Sequence, residues 1–295
     1  MSLRPRVAVL LATFHPNHFT LLQIDSLRNQ LGVDITIFWG DDGSTDKEKL
    51  AISESLRGLD YKFFSFENIG ATQNFIELLK NAAGYNFYAF CDQDDLWLPE
   101  KLITSIANLQ ESNRAALCHS RVTVLKGDEL KINKRVCQEH SMKTLVAENC
   151  FMGCTLVFNA ELRDILLSFP TEGIVWHDWW LGWLAASVGD VFTLDDPLTI
   201  YRIHLGNSIG LPNLREKFRR FLKRENSVAL GQSILFRDRY CSIITKQSLA
   251  ELNLWINIYG KSTLPRVFSL LHDSKRRSTL GDDFLRRIAS IFKTP

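Results

Sequence analysis

The chain has no unbroken run of about eighteen apolar residues, so nothing in it is expected to cross a bilayer as a helix. It has no Cys-x-x-Cys pair either: Cys91, Cys118, Cys137, Cys150, Cys154 and Cys241 are scattered. Cys91, Cys118 and Cys154 sit in apolar runs, where a thiol behaves as a small core residue. That pattern predicts a reducing compartment, no zinc site and no disulfide framework. Internal repeats and low-complexity stretches are absent. Arg4-Pro5-Arg6 followed by Val7 to Ala12 resembles a signal peptide only superficially. The apolar run is short and ends in Thr13-Phe14-His15 without a small-residue cleavage site, so a buried first strand is the reading.

What is present is ordinary globular composition, 45% hydrophobic and 23% charged over 295 residues. That suits one large α/β domain with an appended segment, or two modest domains. Net charge is only +2, but it is unevenly placed. From Gly206 onward there are 17 Lys+Arg against 7 Asp+Glu, whereas the first 205 residues hold 18 against 26. An acidic body with a basic tail calls for a partner or a surface.

The first hundred residues read as repeated strand–helix units. Val7 to Ala12, Val33 to Trp39, Tyr61 to Phe66 and Asn86 to Cys91 are strand-like. Helical patterns over Asn17 to Gln30, Thr45 to Leu56, Gly70 to Ala83 and Pro99 to Glu111 follow them in turn. Thr45 with Glu48 three residues on is a capping box. Parallel strands joined by crossover helices bind ligands beyond their carboxyl ends. The chemically loaded residues fall there: Thr13-Phe14-His15, Asp41-Asp42-Gly43-Ser44, Asn68-Ile69-Gly70 and Asp92-Gln93-Asp94-Asp95. Further on, Ala115 to Leu125, Gly153 to Phe158, Val191 to Leu194 and Leu198 to Ile203 are expected strands. Ala160 to Phe169 and His177 to Ser187 are expected helices. A boundary near Gly210 divides a domain over 1–210 from a basic helical segment over 211–295.

Asp92-Gln93-Asp94-Asp95 puts three carboxylates in four residues. Their repulsion favours a bound cation, and Mn2+ or Mg2+ suits carboxylate oxygen shared with phosphates. A solvated turn capping the next helix is the plainer alternative. Asp41-Asp42-Gly43-Ser44 is by itself only a turn followed by a cap.

Taken together these segments resemble the family-2 glycosyltransferases with the GT-A fold, from Val7 to about Gly210. Within that family the chain is similar to the bacterial rhamnosyltransferase-like branch. The resemblance is carried by Leu10-Leu11-Ala12-Thr13-Phe14, Gln23-Ile24-Asp25-Ser26-Leu27, Asp41 to Asp46, Asn68-Ile69-Gly70 with Asn74-Phe75, and Asp92 to Trp97. His177-Asp178-Trp179-Trp180 and Tyr201-Arg202-Ile203-His204 with Asn207 complete it.

The resemblance implies a GT-A-type, Rossmann-like mixed sheet flanked by helices and a nucleotide-diphosphate-sugar donor. Thr13 and Phe14 would border the nucleobase and Asp42 would meet its imide edge. Asn68 and Asn74 belong to the same donor-binding set, and Asp92 would contact the ribose. Asp94 would bind the divalent cation, joined by His204, and Asp178 would be the catalytic base. His177 stands where glutamate is usual, and Phe14 where tyrosine is common. The rhamnosyl branch implies dTDP-L-rhamnose as donor and inversion at its anomeric carbon, with a glycan or lipid-linked glycan as acceptor. A UDP-sugar donor, a binder without turnover and a haloacid-dehalogenase-type phosphatase with Asp92 as nucleophile are the competing readings.

Asp178 could instead be a carboxylate favoured by a helix N-terminus, and His204 a hydrogen-bonded structural histidine. The tail carries two basic amphipathic patterns, over Leu214 to Arg224 and over Phe284 to Lys293. They suit either an anionic membrane surface or packing on the core or a second subunit, and argue against nucleic acid. A cytoplasmic enzyme, held peripherally at the inner face of the membrane, is the expected setting.

Overall fold

The computed structural model describes residues 4–133, 139–204 and 225–260. The amphipathic patterns over 214–224 and 284–293 and the residue Asn207 lie outside the described residues. Two compact units emerge: one of Met1–Gln138 with Cys150–Ile203, the other of Glu139–Asn149 with His204–Pro295.

The first unit is built on strands β1 (Arg6–Thr13), β2 (Asp34–Asp41), β3 (Tyr61–Ser65) and β4 (Phe87–Asp92). Helices α1 (His18–Arg28), α2 (Asp46–Ser55) and α3 (Ala71–Asn81) alternate with them. β1 pairs in parallel with both β2 and β4, and β2 pairs in parallel with β3. Every residue of Val7–Leu11 is fully buried, the mark of a strand covered on both faces. Val7, Val9 and Leu11 join Ile24, Leu27, Ile52 and Leu56 in one core cluster. Phe75 of α3 meets Phe90 of β4 at 5.0 Å between ring centroids. Each such fully buried large side chain contributes about 1.5–3 kcal/mol. The capping box opens α2 as the sequence predicts, with Thr45 accepting from the Glu48 N–H.

Beyond β4 the sheet becomes mixed. Its order is β3-β2-β1-β4-β8-β6-β9-β5, with β7 paired to β6. These strands are β5 (Leu96–Trp97), β6 (Ala116–Lys126), β7 (Glu129–Ile132), β8 (Val157–Asn159) and β9 (Asp190–Ile203). Helices α4 (Lys101–Leu109), α6 (Ala160–Leu167) and α7 (His177–Val188) flank them.

Three expectations change here, and one hairpin appears that the sequence reading did not include. The strand expected over Gly153 to Phe158 opens instead as a 3-10 turn, Gly153–Thr155, before β8. The two strands expected over Val191 to Ile203 are one, whose pairing with β6 slips around Asp195 and Pro197. A bulge tolerates the proline that an unbroken central strand would not. The β6–β7 hairpin turns through Gly127-Asp128, with Gly127 at φ 59. That Gly-Asp pair was its sequence signal. Cys150 is disulfide-bonded, against the expectation of no disulfide framework. Cys91, Cys118, Cys154 and Cys241 are free.

The second unit contains α5 (Met142–Leu145), α8 (Glu225–Tyr240) and α9 (Lys246–Gly260). The Lys143 N–H donates to Glu251 Oε2 at 3.1 Å, tying the 139–149 excursion to α9. No helix among the described residues is long and apolar enough to cross a membrane.

Candidate active site

The strand order 3-2-1-4 reverses at β1, so the crevice expected for a ligand opens beyond the carboxyl ends of β1, β2 and β4. Register aligns Thr13 with Asp41 and Ala12 with Asp92, which puts three of the loaded strand ends side by side.

The floor of this crevice is a closed hydrogen-bond set. Thr13 Oγ1 donates to Asp41 Oδ2 at 2.9 Å and accepts from Trp39 Nε1 at 2.8 Å. Asp41 Oδ1 accepts from the Ser44 and Gly43 N–H groups. Asp42 turns the other way. Its two oxygens accept from the backbone N–H of Ile69 and of Gly70, each at 2.7 Å. The β3–α3 turn it holds is strained, with Asn68 at φ 57 and Gly70 at φ 85. Asn74 donates to the Gly40 carbonyl at 2.9 Å and lies so close that a Cβ on Gly40 would sit 2.0 Å from its Oδ1. Thr13, Asp42 and Asn74 are therefore buried and engaged within the protein.

Phe14 and Asn68 are exposed. Gln93, a residue to which sequence reasoning assigned no role, grips the Phe14 backbone at both ends. Its Oε1 accepts from the Phe14 N–H at 2.9 Å and its Nε2 donates to the Phe14 carbonyl at 3.0 Å.

The acidic turn after β4 gathers Asp92, Asp94 and Asp95. Burial and the charges of Asp95, Asp94 and Asp178 push the Asp92 carboxyl well above the usual range. The influence of Asp178 brings the start of α7 into the same electrostatic field. Asp95 is fully buried, and neither of its oxygens has a hydrogen-bond partner. Burial, then the Asp94 charge, pushes it up to about 7, against the pull of Cys154, Lys101 and the Arg202 backbone. One ligand atom each from Asp92, Asp95 and Cys154 lie within 4.8 Å of one another. A set of crowded carboxylates, one of them orphaned, fits a divalent cation by charge and by donor type.

Asp178 opens α7 with its Oδ1 accepting from the Trp179 N–H at 2.7 Å. His177 packs between Phe75 and Phe90, with centroids at 4.4 and 4.7 Å. Burial lowers its pKa against the opposing Asp178 charge, so the imidazole is neutral at pH 7. The fit opposite is tight: a Cβ on Gly153 would lie 3.0 Å from His177 Nε2 and 3.7 Å from the Asp178 Cβ, so a larger residue would press on the imidazole. The Gly153–Thr155 turn thus backs Asp178 with one residue and reaches the acidic cluster with the next, Cys154.

Two cations were missed in sequence as parts of this site. Arg202 on β9 is buried and senses Asp95 and Asp94. Lys101, at the start of α4, is 1% exposed and donates to the Cys154 carbonyl and, at 3.0 Å, to Thr199 Oγ1. An ordinary Pro-Glu-Lys helix start gave no sign of it. His204 falls in the second unit.

The family model for glycosyl transferase family 2 matches residues 9–157, which span β1 to β8 and hold the acidic turn. The chain belongs to that family. It is a glycosyltransferase, and the phosphatase alternative falls away. This family 2 enzyme is 30% identical over 220 residues to the dTDP-rhamnosyl transferase RfbG of Shigella flexneri, covering 68% of this chain and 73% of that one. It is 24% identical over 175 residues to the UDP-Glc:alpha-D-GlcNAc-diphosphoundecaprenol beta-1,3-glucosyltransferase WfgD of Escherichia coli, covering 56% and 64%. Among solved structures, S. aureus TarS 1–349 in complex with UDP-GlcNAc matches at TM-score 0.58 and 18% identity, over 97% of this chain and 90% of that one. Mannosyltransferase PcManGT from Pyrobaculum calidifontis, in complex with GDP-Man and Mn2+, matches at TM-score 0.57 and 16% identity, over 98% and 86%. The mixed sheet with flanking helices is the GT-A fold of these neighbours.

Proposed function

We propose that this family 2 glycosyltransferase moves L-rhamnose from a dTDP-activated donor onto a hydroxyl of a glycan or lipid-linked glycan, with inversion. The observation that supports the reading is the acidic turn, where ligand atoms of Asp92, Asp95 and Cys154 lie within 4.8 Å of one another and Asp92 senses the charge of Asp178. The relative named as a dTDP-rhamnosyl transferase supports the donor.

In this reading Phe14 presents its exposed ring to the nucleobase, at the edge gripped by Gln93. Thr13 and Asn74 shape the floor. Asp42 uses two of the roughly four acceptor sites of a carboxylate on backbone, and Asn68 sits at the rim beside it. Asp92 faces the ribose. Asp94 would hold Mn2+ or Mg2+, which when bound offsets charge on a diphosphate leaving group. Asp178 takes the proton from the acceptor hydroxyl as general base. A single base and a single displacement invert the anomeric centre. Residues 1–210 are read as the catalytic domain and 211–295 as the segment that meets acceptor, membrane or a second subunit. The setting is the cytoplasm, peripherally at the inner membrane face.

A thermal-shift panel of dTDP, UDP, GDP and their sugars, each with Mn2+ or with EDTA, tests this directly. A manganese-dependent rise with dTDP and dTDP-rhamnose is the expected result. A rise with UDP ligands alone would overturn the rhamnosyl assignment but keep the mechanism. No rise with any nucleotide would overturn the metal–diphosphate site.

A further inference from the structure

Lys101 is a buried cation near the acidic turn whose charge no part of the proposed chemistry uses, and it is fixed from three directions. The Cys154 carbonyl in the 3-10 turn and Thr199 on β9 accept from its ammonium, and the Trp97 ring of β5 lies 3.8 Å beneath it. A buried, desolvated ammonium persists only where anions or strong acceptors compensate it. Its neighbours Asp95 and Asp92 are carboxyls that burial and mutual repulsion push upward, and neither Asp95 oxygen makes a well-formed hydrogen bond.

The charges are complementary across the deep end of the cluster, where the Cys154 thiol also lies. Asp92, Asp95 and Cys154 could by spacing alone hold a metal ion, but an added dication there would face a fixed ammonium.

We propose that Lys101 is a built-in countercation that occupies the deep end of the acidic cluster electrostatically and confines the exchangeable divalent cation to its open end at Asp92 and Asp94. Lys101 is thus a positioning residue: it selects which carboxylates a cation meets, and it keeps the soft sulfur of Cys154 out of the ligand set. Thiophilic metals are thereby denied a site that hard metals would not prefer. The inference rests on the proposed cation site, and the experiment separates the two.

Cadmium is the probe, because a thiolate–cadmium bond adds an ultraviolet charge-transfer band whether or not the enzyme turns over. The full chain, Lys101→Met, Cys154→Ser and the Lys101→Met/Cys154→Ser pair are titrated with Cd2+, and separately with Mn2+ by calorimetry. Mn2+ binding to the wild-type chain tests the open site alone, and its absence would sink the cation reading whatever cadmium does. The expected result is a wild-type Cd2+ spectrum that Cys154→Ser leaves unchanged. Lys101→Met should then gain a band that the double variant lacks. A wild-type band lost in Cys154→Ser, or a folded Lys101→Met with no new band, would overturn the proposal. Should Lys101→Met fail to fold, Lys101→Met/Asp95→Asn decides. Recovery of folded protein when both charges are removed supports the countercation, and no recovery overturns it.

Discussion

Gln93 and Phe14, 79 residues apart in sequence, are joined by a two-point clamp in which one side-chain amide satisfies both backbone polar groups of the phenylalanine. It ties the carboxyl end of β4 to that of β1 at the crevice mouth. Phe14, 47% exposed, is thereby held in place with its ring free to meet a ligand.

Gln93→Ala removes both bonds, each with a net value of about 1 kcal/mol. Donor KM should rise roughly five- to tenfold with kcat little changed, and the two lost bonds should also lower the melting temperature. Steady-state kinetics against donor concentration reads this. An unchanged KM would show that Phe14 does not meet the donor.

Asp178→Asn keeps the size and the helix-opening position but cannot take a proton. Turnover should fall about a hundred- to ten-thousand-fold while the thermal shift with Mn2+ and nucleotide persists. Near-wild-type turnover in this variant would remove Asp178 as the base.

Asp42→Ala would leave the Ile69 and Gly70 N–H groups without their acceptors. Both residues are exposed, so water can replace part of each bond, and a loss of about 1–2 kcal/mol is expected from two bonds of about 1 kcal/mol net each. Denaturant unfolding measures it. Full stability with weakened donor binding would instead make Asp42 a ligand contact and not a turn anchor.

Lys101 sets a signature in the alkaline limb of stability. Burial pulls its pKa to about 8 from an ordinary 10.5, opposed by Cys154, Cys91, Asp95 and Asp92, which face it. Between those values the unfolded chain binds more protons than the folded one, so this group makes stability rise with pH from about 8 to about 10.5. The wild-type minus Lys101→Met difference in melting temperature should therefore grow across that window. A flat difference would mean that the ammonium is not desolvated.

The alternation of strand and helix, and the placing of polar residues just past each strand, were legible because they rest on local periodicity and on caps. Thr45 with Glu48 is an example: three residues apart, they make their capping box in any chain that starts a helix there. Asp92 to Asp95 were legible for the same reason, since repulsion among neighbours needs no knowledge of the fold. The sheet's later half was less so. A two-residue strand such as Leu96–Trp97 has no periodicity to read, and the slip around Asp195 and Pro197 is fixed by the register of β6, far away in sequence.

By itself, then, the sequence determined the parallel half of the sheet, its acidic turn and the family to which such an order of motifs belongs. Each of these is encoded within a few adjacent residues. Only the tertiary structure decided which polar groups are spent inside the protein and which remain for a ligand. Thr13 is spent on Asp41 and Trp39, Asn74 on Gly40, and Lys101 on Cys154 and Thr199. Those partners lie 26 to 98 positions away. A side chain's hydrogen bonds are decided by which distant backbone the sheet brings within 3 Å, and no local pattern records that.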